Sequence, residues 1–328
     1  MSALVPGDAL PRLVVIVGPT AAGKSDLAIS IARRVSGEVV NADSMQLYRG
    51  MDIGTAKLPV DERGGVPHHL LDVLDVTQTA TVAAYQQLAR GVIRDLISRG
   101  VTPVLVGGSG LYVRAVIDPL DFPGTDPAVR AELEAELARV GPHELHERLR
   151  REDAAAAAAI GPANGRRIVR ALEVRALTGG AYTARLPGHA RTAQPQTAGD
   201  PMPAVTMIGL DVPRADLYAR IEARVERMWA AGLVAEVREL EQIGLREGQT
   251  ASRALGYRQV LELLDGVHDE PTAKRLTTSA TRRFGRRQAQ WFGPDPRVSW
   301  LAYDDERLLA RALDVAHRQP GPEAGSVR

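Results

Sequence analysis

The chain has 328 residues, 45% of them hydrophobic, which is enough to bury the core of one large domain or two smaller ones. Its 41 basic and 40 acidic residues give a net charge of +1, which does not exclude a polyanionic partner. The absence of cysteine excludes disulfides, thiolate metal sites and cysteine nucleophiles, and with no signal peptide or membrane-length apolar run it predicts a cytoplasmic protein without membrane contact.

The first part of the chain, residues 1–118, alternates short apolar runs with helical patterns. The predicted elements are a strand at Arg12–Val17, a helix at Lys24–Val35, a strand at Glu38–Ala42, a helix at Val82–Ser98 and a strand at Pro103–Val106. Strands that alternate with helices predict an α/β fold whose core is a doubly wound parallel sheet.

Residues 119–203 are predicted to be an all-helical insertion into this core. The pattern there contains only helices, at Ala128–Arg139, His143–Arg150 and Gly165–Leu177, and an aperiodic stretch, Tyr182–Pro203, then follows. The core resumes over residues 204–316 with a strand at Val205–Val212, and Pro213 fits the first turn of the next helix. We expect residues 317–328 to be a disordered tail.

The segment between the first strand and the first helix matches the P-loop pattern GxxxxGK(S/T). Backbone N–H groups of such a loop surround phosphate oxygens, the lysine adds a positive charge, and the hydroxyl residue can bind Mg²⁺. The matching residues, which we predict to bind a diphosphate or a nucleotide with Ser25 as the Mg²⁺ ligand, are Gly18, Pro19, Thr20, Ala21, Ala22, Gly23, Lys24 and Ser25.

Further polar residues are expected to face the same crevice. Asp43 and Ser109 follow the carboxyl ends of predicted strands, where ligands of doubly wound sheets bind. Arg220 and Arg224 lie four residues apart on the helix after Pro213, so one of them could clamp a diphosphate.

The P-loop alone leaves the reaction open. A nucleotide hydrolase or a nucleotide-dependent RNA-binding switch is expected to carry an aspartate after an apolar strand, but the strand that ends in Gly107-Gly108-Ser109 has no acid there. A P-loop kinase of small molecules, with Asp43 as its base, remains as the alternative.

Five blocks, in this order, resemble the signature of the tRNA dimethylallyltransferases. They are GPTAAGKS from Gly18, NADSMQLYRGMDIGTAK from Asn41, PHHLLDV from Pro67, VGGSGLYVRA from Val106 and RALGYRQ from Arg253. The resemblance extends from about Arg12 to Trp300. It implies a transferase that moves the dimethylallyl group of dimethylallyl diphosphate to the exocyclic amino group of the adenine 3′-adjacent to the anticodon in tRNA. We expect it to work as a monomer with Mg²⁺.

The resemblance also implies roles for individual residues. Asp43 is the acid that faces the adenine, Lys24 belongs to the diphosphate cradle, and the Ser109 hydroxyl stands where the family more commonly has threonine. The residues implied in tRNA binding are Asp43, Ser44, Met45, Gln46, Ser109, Arg130, Arg166, Arg167, Ile168, Val169, Arg170, Arg253, Gly256, Tyr257 and Arg258.

Other side chains support weaker predictions. Glu270–Phe292 holds six basic residues and a single acid, so it is a second candidate RNA surface beside the Arg166–Arg170 cluster. The histidines do not have the HExxH spacing of a zinc site. Among the aromatic residues, Tyr48 and Tyr112 are expected to line the site, whereas Trp229, Phe284, Trp291 and Trp300 are expected to pack in the core.

Overall fold

The computed structural model of the protein describes residues 12–120, 122–180, 182 and 203–317, with only the backbone of Arg12. These residues belong to two compact units, Met1–Pro119 with His189–Arg328, and Leu120–Gly188. The predicted disordered tail lies outside the described residues except for its first residue. Most of the aperiodic stretch 182–203 also lies outside them.

The first unit contains a six-stranded sheet in which every pairing is parallel, with the order β3-β2-β4-β1-β5-β6. The strands are β1 (Arg12–Val17), β2 (Gly37–Asn41), β3 (His68–His69), β4 (Thr102–Val106), β5 (Ala204–Asp211) and β6 (Val298–Ala302). The predicted α/β class is confirmed. The sequence patterns did not identify β3, because two residues are too few to show alternation.

Helices connect these strands. In the first unit they are α1 (Lys24–Arg34), α2 (Val82–Ser98), α3 (Gly110–Ile117), α7 (Arg214–Ala230), α8 (Leu233–Gln242), α9 (Tyr257–Leu264), α10 (Glu270–Phe292) and α11 (Leu308–His317). Local capping sets some of their starts: the Thr81 side chain accepts from the Ala84 N–H at α2, and Asp269 accepts from the Thr272 N–H at α10.

The central strand β1 is buried on both faces. Leu13, Val15 and Val17 pack in one hydrophobic cluster, while Val14 and Ile16 pack in another. Because side chains of a strand alternate between faces, this split is expected for a strand covered by helices on both sides. The carboxyl end of β1 therefore leads from the middle of the core directly into the P-loop.

The second unit is helical, with α4 (Pro127–Glu152), α5 (Ala154–Ala159) and α6 (Gly165–Thr178). Helix α4 contains a break at Gly141, whose φ of 80° is not helical, and Pro142 follows it. The two helices predicted for this region are thus the two halves of α4. Leu145, Leu149 and Ile168 are fully buried in the core of this unit.

Candidate active site

The P-loop wraps around its own lysine. Gly23, just before α1, has a φ of 96°, a left-handed conformation that favours glycine. The Lys24 ammonium donates to the Pro19 carbonyl over 2.7 Å. Burial, and then the nearby charge of Arg224, lower the pKa of Lys24 from 10.5 to about 8, while the charge of Asp43 acts in the opposite direction.

Both arginines of α7 reach the P-loop, but at different places. Arg224 donates from Nη1 to the Thr20 hydroxyl over 3.0 Å and lines the cavity beside Lys24. Arg220 donates from Nε to the Ala21 carbonyl over 2.7 Å and lies 5.1 Å from the centre of the Tyr303 ring. Arg224 is therefore placed to touch a ligand, whereas Arg220 supports Ala21, which has an unfavourable φ of 63°.

Asp43 lies in a tight turn after β2. Its backbone N–H donates to Asn41 Oδ1 and its carboxylate Oδ1 accepts from the Met45 N–H, each over 2.9 Å. The side chain is half-buried and its charge acts on Lys24, Arg224 and the phenol of Tyr112. The turn fixes one carboxylate oxygen and leaves the second available for chemistry.

Ser109 lies beside the turn that holds Asp43, and both residues face one cavity, as predicted from their positions after strand ends. Its hydroxyl is 3.5 Å from the N–H of Ser44, which is the residue after Asp43. Both serines line the same cavity, and Ser109 is the residue from which α3 begins. A carboxylate and a hydroxyl therefore face one space.

Gln288 of α10 connects the P-loop to the loop after β4, and it was not among the site residues predicted from the sequence. Its Oε1 accepts from the Thr20 N–H over 2.8 Å, and its Nε2 donates to the Gly108 carbonyl over 3.0 Å. A Cβ atom on Gly108 would lie 2.0 Å from Nε2, so this contact requires glycine there. The helical spacing of Thr277, Thr281, Phe284 and Gln288 was the available signal, since it places a polar residue on the inward face of α10.

Two adjoining cavities form the site. The first, the phosphate cavity, has a volume of about 130 Å³ and is lined by Thr20 to Asp26, Asp43, Arg224 and Gln288 among others. The second, the apolar cavity, has about 330 Å³. The residues shared by both walls are Thr20, Asp43, Thr55 and Arg224. A ligand that fills both spaces would pass directly by Asp43.

The apolar cavity is built mainly by α7, α10 and the segment before α9. Its hydrophobic wall includes Met45, Val225, Met228, Leu255 and Phe284, and its polar wall includes Ser44, Ser109, Arg253 and Arg287. Phe284 was expected to be a core residue, and this was wrong, because it is half-buried in the cavity wall. Its position at one side of α10 faces the cavity rather than the sheet.

The other predictions for aromatic residues have mixed outcomes. Tyr48 was expected to line the site, but it is fully buried, and its hydroxyl donates to the Gln78 carbonyl. Tyr112 was also expected to line the site, but it belongs to neither cavity wall: it is buried with its ring 4.6 Å from that of Tyr85, and burial raises its pKa. Trp229 packs in the core as predicted, whereas Trp291 and Trp300 are 39% and 36% exposed.

Lys57 and Glu236 fix the segment around residue 54 without facing either cavity. The buried Lys57 ammonium donates to the Tyr48 carbonyl and to the carboxylates of Asp52 and Asp72. Glu236 accepts from the Ile53 N–H over 2.7 Å and from the Tyr257 hydroxyl over 2.5 Å. The implied contact of Tyr257 with tRNA is therefore wrong as a side-chain contact, because the ring is fully buried.

The other residues of the RALGYRQ block that were predicted to bind tRNA differ in their exposure to solvent. Gly256 is also buried, whereas Arg253 and Arg258 are exposed. Arg253 lines the apolar cavity, and Arg258 lies 3.5 Å from Glu262. Gln46 lines the phosphate cavity and donates to the Thr55 carbonyl.

In the second unit the arginines predicted to bind tRNA separate into two kinds. Arg130 and Arg170 both donate to Glu173, over 2.6 and 2.8 Å, and this fully buried carboxylate has its pKa lowered to about 2 against the effect of burial. Arg166 and Arg167 are exposed. Ile168 and Val169 were also predicted to bind tRNA. This was wrong for their side chains, because both are buried.

The donors around the P-loop fit Mg²⁺ only together with a phosphate ligand. Within the described ranges, no group of three or more His, Asp or Glu could hold a metal ion by itself. The Ser25 hydroxyl and the Asp43 carboxylate do line the phosphate cavity, and such hard oxygen donors suit Mg²⁺ when phosphate oxygens complete its shell.

Among the residues that the structure describes, no helix is both long and apolar enough to cross a membrane.

Comparison with known proteins gives one consistent set of matches. The sequence model of the family described as "IPP transferase" matches residues 46–295. The tRNA dimethylallyltransferase of Thermobifida fusca is 61% identical over 309 residues, 93% of this chain and 94% of its own, and that of Streptomyces coelicolor is 61% identical over 94% and 96%.

Solved structures agree with these matches. The tRNA isopentenylpyrophosphate transferase of Bacillus halodurans superposes with a TM-score of 0.66 at 40% identity, covering 93% of this chain and 94% of that one. A eukaryotic dimethylallyltransferase acting on tRNA has a TM-score of 0.74 at 24% identity over 90% of this chain and 74% of its own. This last likeness concerns the fold.

Proposed function

This chain belongs to the IPP transferase family, and from that premise we propose that it transfers the dimethylallyl group of dimethylallyl diphosphate to an adenine of tRNA. The observation that carries the proposal is the position of Asp43 in the wall shared by the phosphate cavity and the apolar cavity. A carboxylate there can face the bond that breaks and the bond that forms.

The diphosphate would occupy the phosphate cavity. Backbone N–H groups before α1 and the positive end of this helix favour an anion, and Lys24 and Arg224 supply two cations. As the allylic C–O bond breaks, negative charge grows on the leaving diphosphate. Groups that bind this charge more tightly in the transition state than in the substrate accelerate the step.

The dimethylallyl chain and the adenine would meet in the apolar cavity. Met45, Met228, Leu255 and Phe284 offer hydrocarbon and aromatic surface to a prenyl group and a flat base. The adenine would have to leave its stack to enter, and unpaired loop nucleotides need the least energy for this. An adenine beside the anticodon therefore fits the site better than one in a stem.

Asp43 is proposed as the proton acceptor. The exocyclic amino nitrogen attacks the allylic carbon, the bond from this carbon to the diphosphate oxygen breaks, and one amino proton passes to Asp43. General-base catalysis of this kind contributes about 10²–10⁴-fold. The Ser109 hydroxyl, beside the same turn, is proposed to hydrogen-bond the reacting amino group or the base.

Mg²⁺ is proposed as the partner of the diphosphate, held by Ser25, where it would supply charge neutralisation for the leaving group. The residues that would face tRNA are the exposed Arg166, Arg167 and Arg253. We propose that the protein works as a monomer, because residues of one chain line both cavities. A tRNA substrate would place the activity in the cytoplasm.

The alternative, phosphoryl transfer to a small metabolite, is separable by one experiment. The protein is incubated with Mg²⁺, unmodified tRNA and labelled dimethylallyl diphosphate, and a parallel reaction contains ATP in place of the prenyl donor. We expect label in the tRNA fraction and release of diphosphate, with no ATP turnover. ATP consumption without labelled tRNA would favour the kinase instead.

A further inference from the structure

A row of charged pairs joins α7 to α10 on the surface of the first unit. Glu226 pairs with Lys274 over 3.1 Å, and Glu222 pairs with Arg282 over 2.8 Å. One turn earlier on α7 the next position is Tyr218, whose hydroxyl accepts from Arg286 over 2.8 Å. Two pairs in this row are balanced by a carboxylate, and the third has a neutral phenol instead.

Positive charge therefore accumulates around Tyr218. Arg214 also donates to its hydroxyl, over 3.0 Å, and Arg282 lies 5.0 Å from the ring centre. Hydrogen bonds from Arg286 and Arg214 lower the pKa of Tyr218, as expected beside uncompensated cations. Within the part of the chain that the structure describes, Glu222 is the only carboxylate that forms an ion pair with any of these three guanidinium groups, so positive charge is in excess here.

We propose that this group, Tyr218 with Arg214, Arg282 and Arg286, is a seat for one backbone phosphate of tRNA, distinct from the diphosphate site. The proposal rests on the proposed function and adds a docking point to it. Arginine suits phosphate because its planar fork can donate two parallel hydrogen bonds. The phenol holds the guanidinium groups together without neutralising them.

The location of the seat favours RNA over the prenyl donor. Arg214 and Arg286 are exposed, and none of the four residues lines the phosphate cavity. Tyr218 and Arg220 are two residues apart, as are Arg286 and Gln288, which is about 200° around each helix, so the seat lies on a different face of α7 and α10 from the side chains that hold the P-loop. The seat is therefore a surface of its own on the solvent side of α7 and α10, apart from the wall of the phosphate cavity.

The test compares two substitutions that differ only in charge. Tyr218→Glu completes the row with an internal carboxylate, whereas Tyr218→Gln has the same size without charge. The association constant K for tRNA falls as salt rises, and we expect this dependence to be flatter for Tyr218→Glu, with a slope of log K against log salt smaller in magnitude by about 0.7–0.9 than for Tyr218→Gln. We also expect Tyr218→Glu to bind unmodified tRNA about 5–8-fold more weakly at 0.1 M salt. Binding is measured by filter retention over a range of salt concentrations.

Glu222→Gln is the opposing variant, since it frees Arg282 and is expected to strengthen tRNA binding and steepen the slope. Val267→Glu, at a side chain that is 61% exposed, controls for added negative charge elsewhere and is expected to change affinity less than about twofold. If the Tyr218 variants do not fold, Glu222→Gln still tests the seat by itself.

Three outcomes would overturn the proposal. In the first, Tyr218→Glu and Tyr218→Gln bind tRNA with equal affinity and slope. In the second, Tyr218→Glu weakens dimethylallyl diphosphate instead of tRNA, which would assign the arginines to the donor. In the third, Glu222→Gln leaves tRNA binding unchanged. Failure of the parent protein to bind any tRNA is a separate result, and it would overturn the proposed function itself.

Discussion

Lys24 should make binding of the prenyl diphosphate depend on pH in a range where few other groups titrate. Its pKa of about 8 means that about 90% of the free protein carries the charge at pH 7 and about 10% at pH 9. A bound diphosphate favours the charged form and so raises this pKa. We therefore expect the Kd of dimethylallyl diphosphate to rise about tenfold from pH 7 to pH 9, with uptake of a proton on binding.

The measurement is calorimetric titration at several pH values, in buffers of different ionisation enthalpy so that proton uptake is counted. The terminal phosphate of the ligand has a second pKa near 6, so it is already ionised over this range. Lys24→Arg is the matched control, because its guanidinium does not titrate and its Kd should stay flat to pH 9. A flat profile for the parent, or an equal rise in Lys24→Arg, would show that Lys24 does not carry the dependence.

The free protein offers an independent check of the sign. Since the folded state lowers the pKa of Lys24 from 10.5 to about 8, the unfolded chain binds this proton more tightly. The contribution of Lys24 to stability should therefore increase as the pH rises from about 8 to 10.5, and Lys24→Arg should lack this increase. Thermal unfolding across that range measures it.

Asp43→Asn should stay folded and bind both substrates within a few-fold of the parent, but its single-turnover rate of prenyl transfer should fall by about 10²–10⁴-fold. A fall of less than about tenfold, together with a melting temperature several degrees lower, would instead give Asp43 a structural role. Arg224→Ala should raise the Kd of dimethylallyl diphosphate by about tenfold or more, since it removes a charged contact, and a larger effect of Arg220→Ala in the same titration would reverse the roles assigned here. Replacing Arg166 and Arg167 together by alanine should flatten the salt dependence of tRNA binding by about 0.7–0.9 per lost phosphate contact, and an unchanged slope would make them a solvated surface.

Much of the fold could be predicted from the sequence because it depends on patterns of neighbouring residues. The β-branched run of β1, the helical spacing of α1 and the glycines between them are contiguous, so the P-loop could be identified without tertiary information. Asp43 and Ser109 were predicted to face one crevice because both follow carboxyl ends of strands in a parallel sheet. Their turns are joined by the approach of the Ser44 N–H to the Ser109 hydroxyl.

The parts that could not be predicted depend on contacts across long distances in sequence. Gln288 lies 268 residues from the Thr20 N–H to which it is bound. The different roles proposed for Arg220 and Arg224 depend on which P-loop residue each side chain contacts, Ala21 or Thr20. The sequence shows only that the two arginines are four residues apart on one helix, and this spacing does not predict their separate partners. The resemblance of a sequence block to the family signature also does not predict which of its residues are buried. Tyr257 is buried, whereas the next residue of the same block, Arg258, is exposed.

The most direct measurement is mass spectrometry of nuclease-digested tRNA after reaction with the protein, Mg²⁺ and dimethylallyl diphosphate. Two substrates are compared, one with adenine at the position 3′-adjacent to the anticodon and one with guanine there. We expect a single five-carbon addition on the amino nitrogen of that adenine and none in the guanine substrate. A prenyl group found at another nucleotide, or equal modification of both tRNAs, would contradict the proposed arrangement of the adenine, Asp43 and the diphosphate.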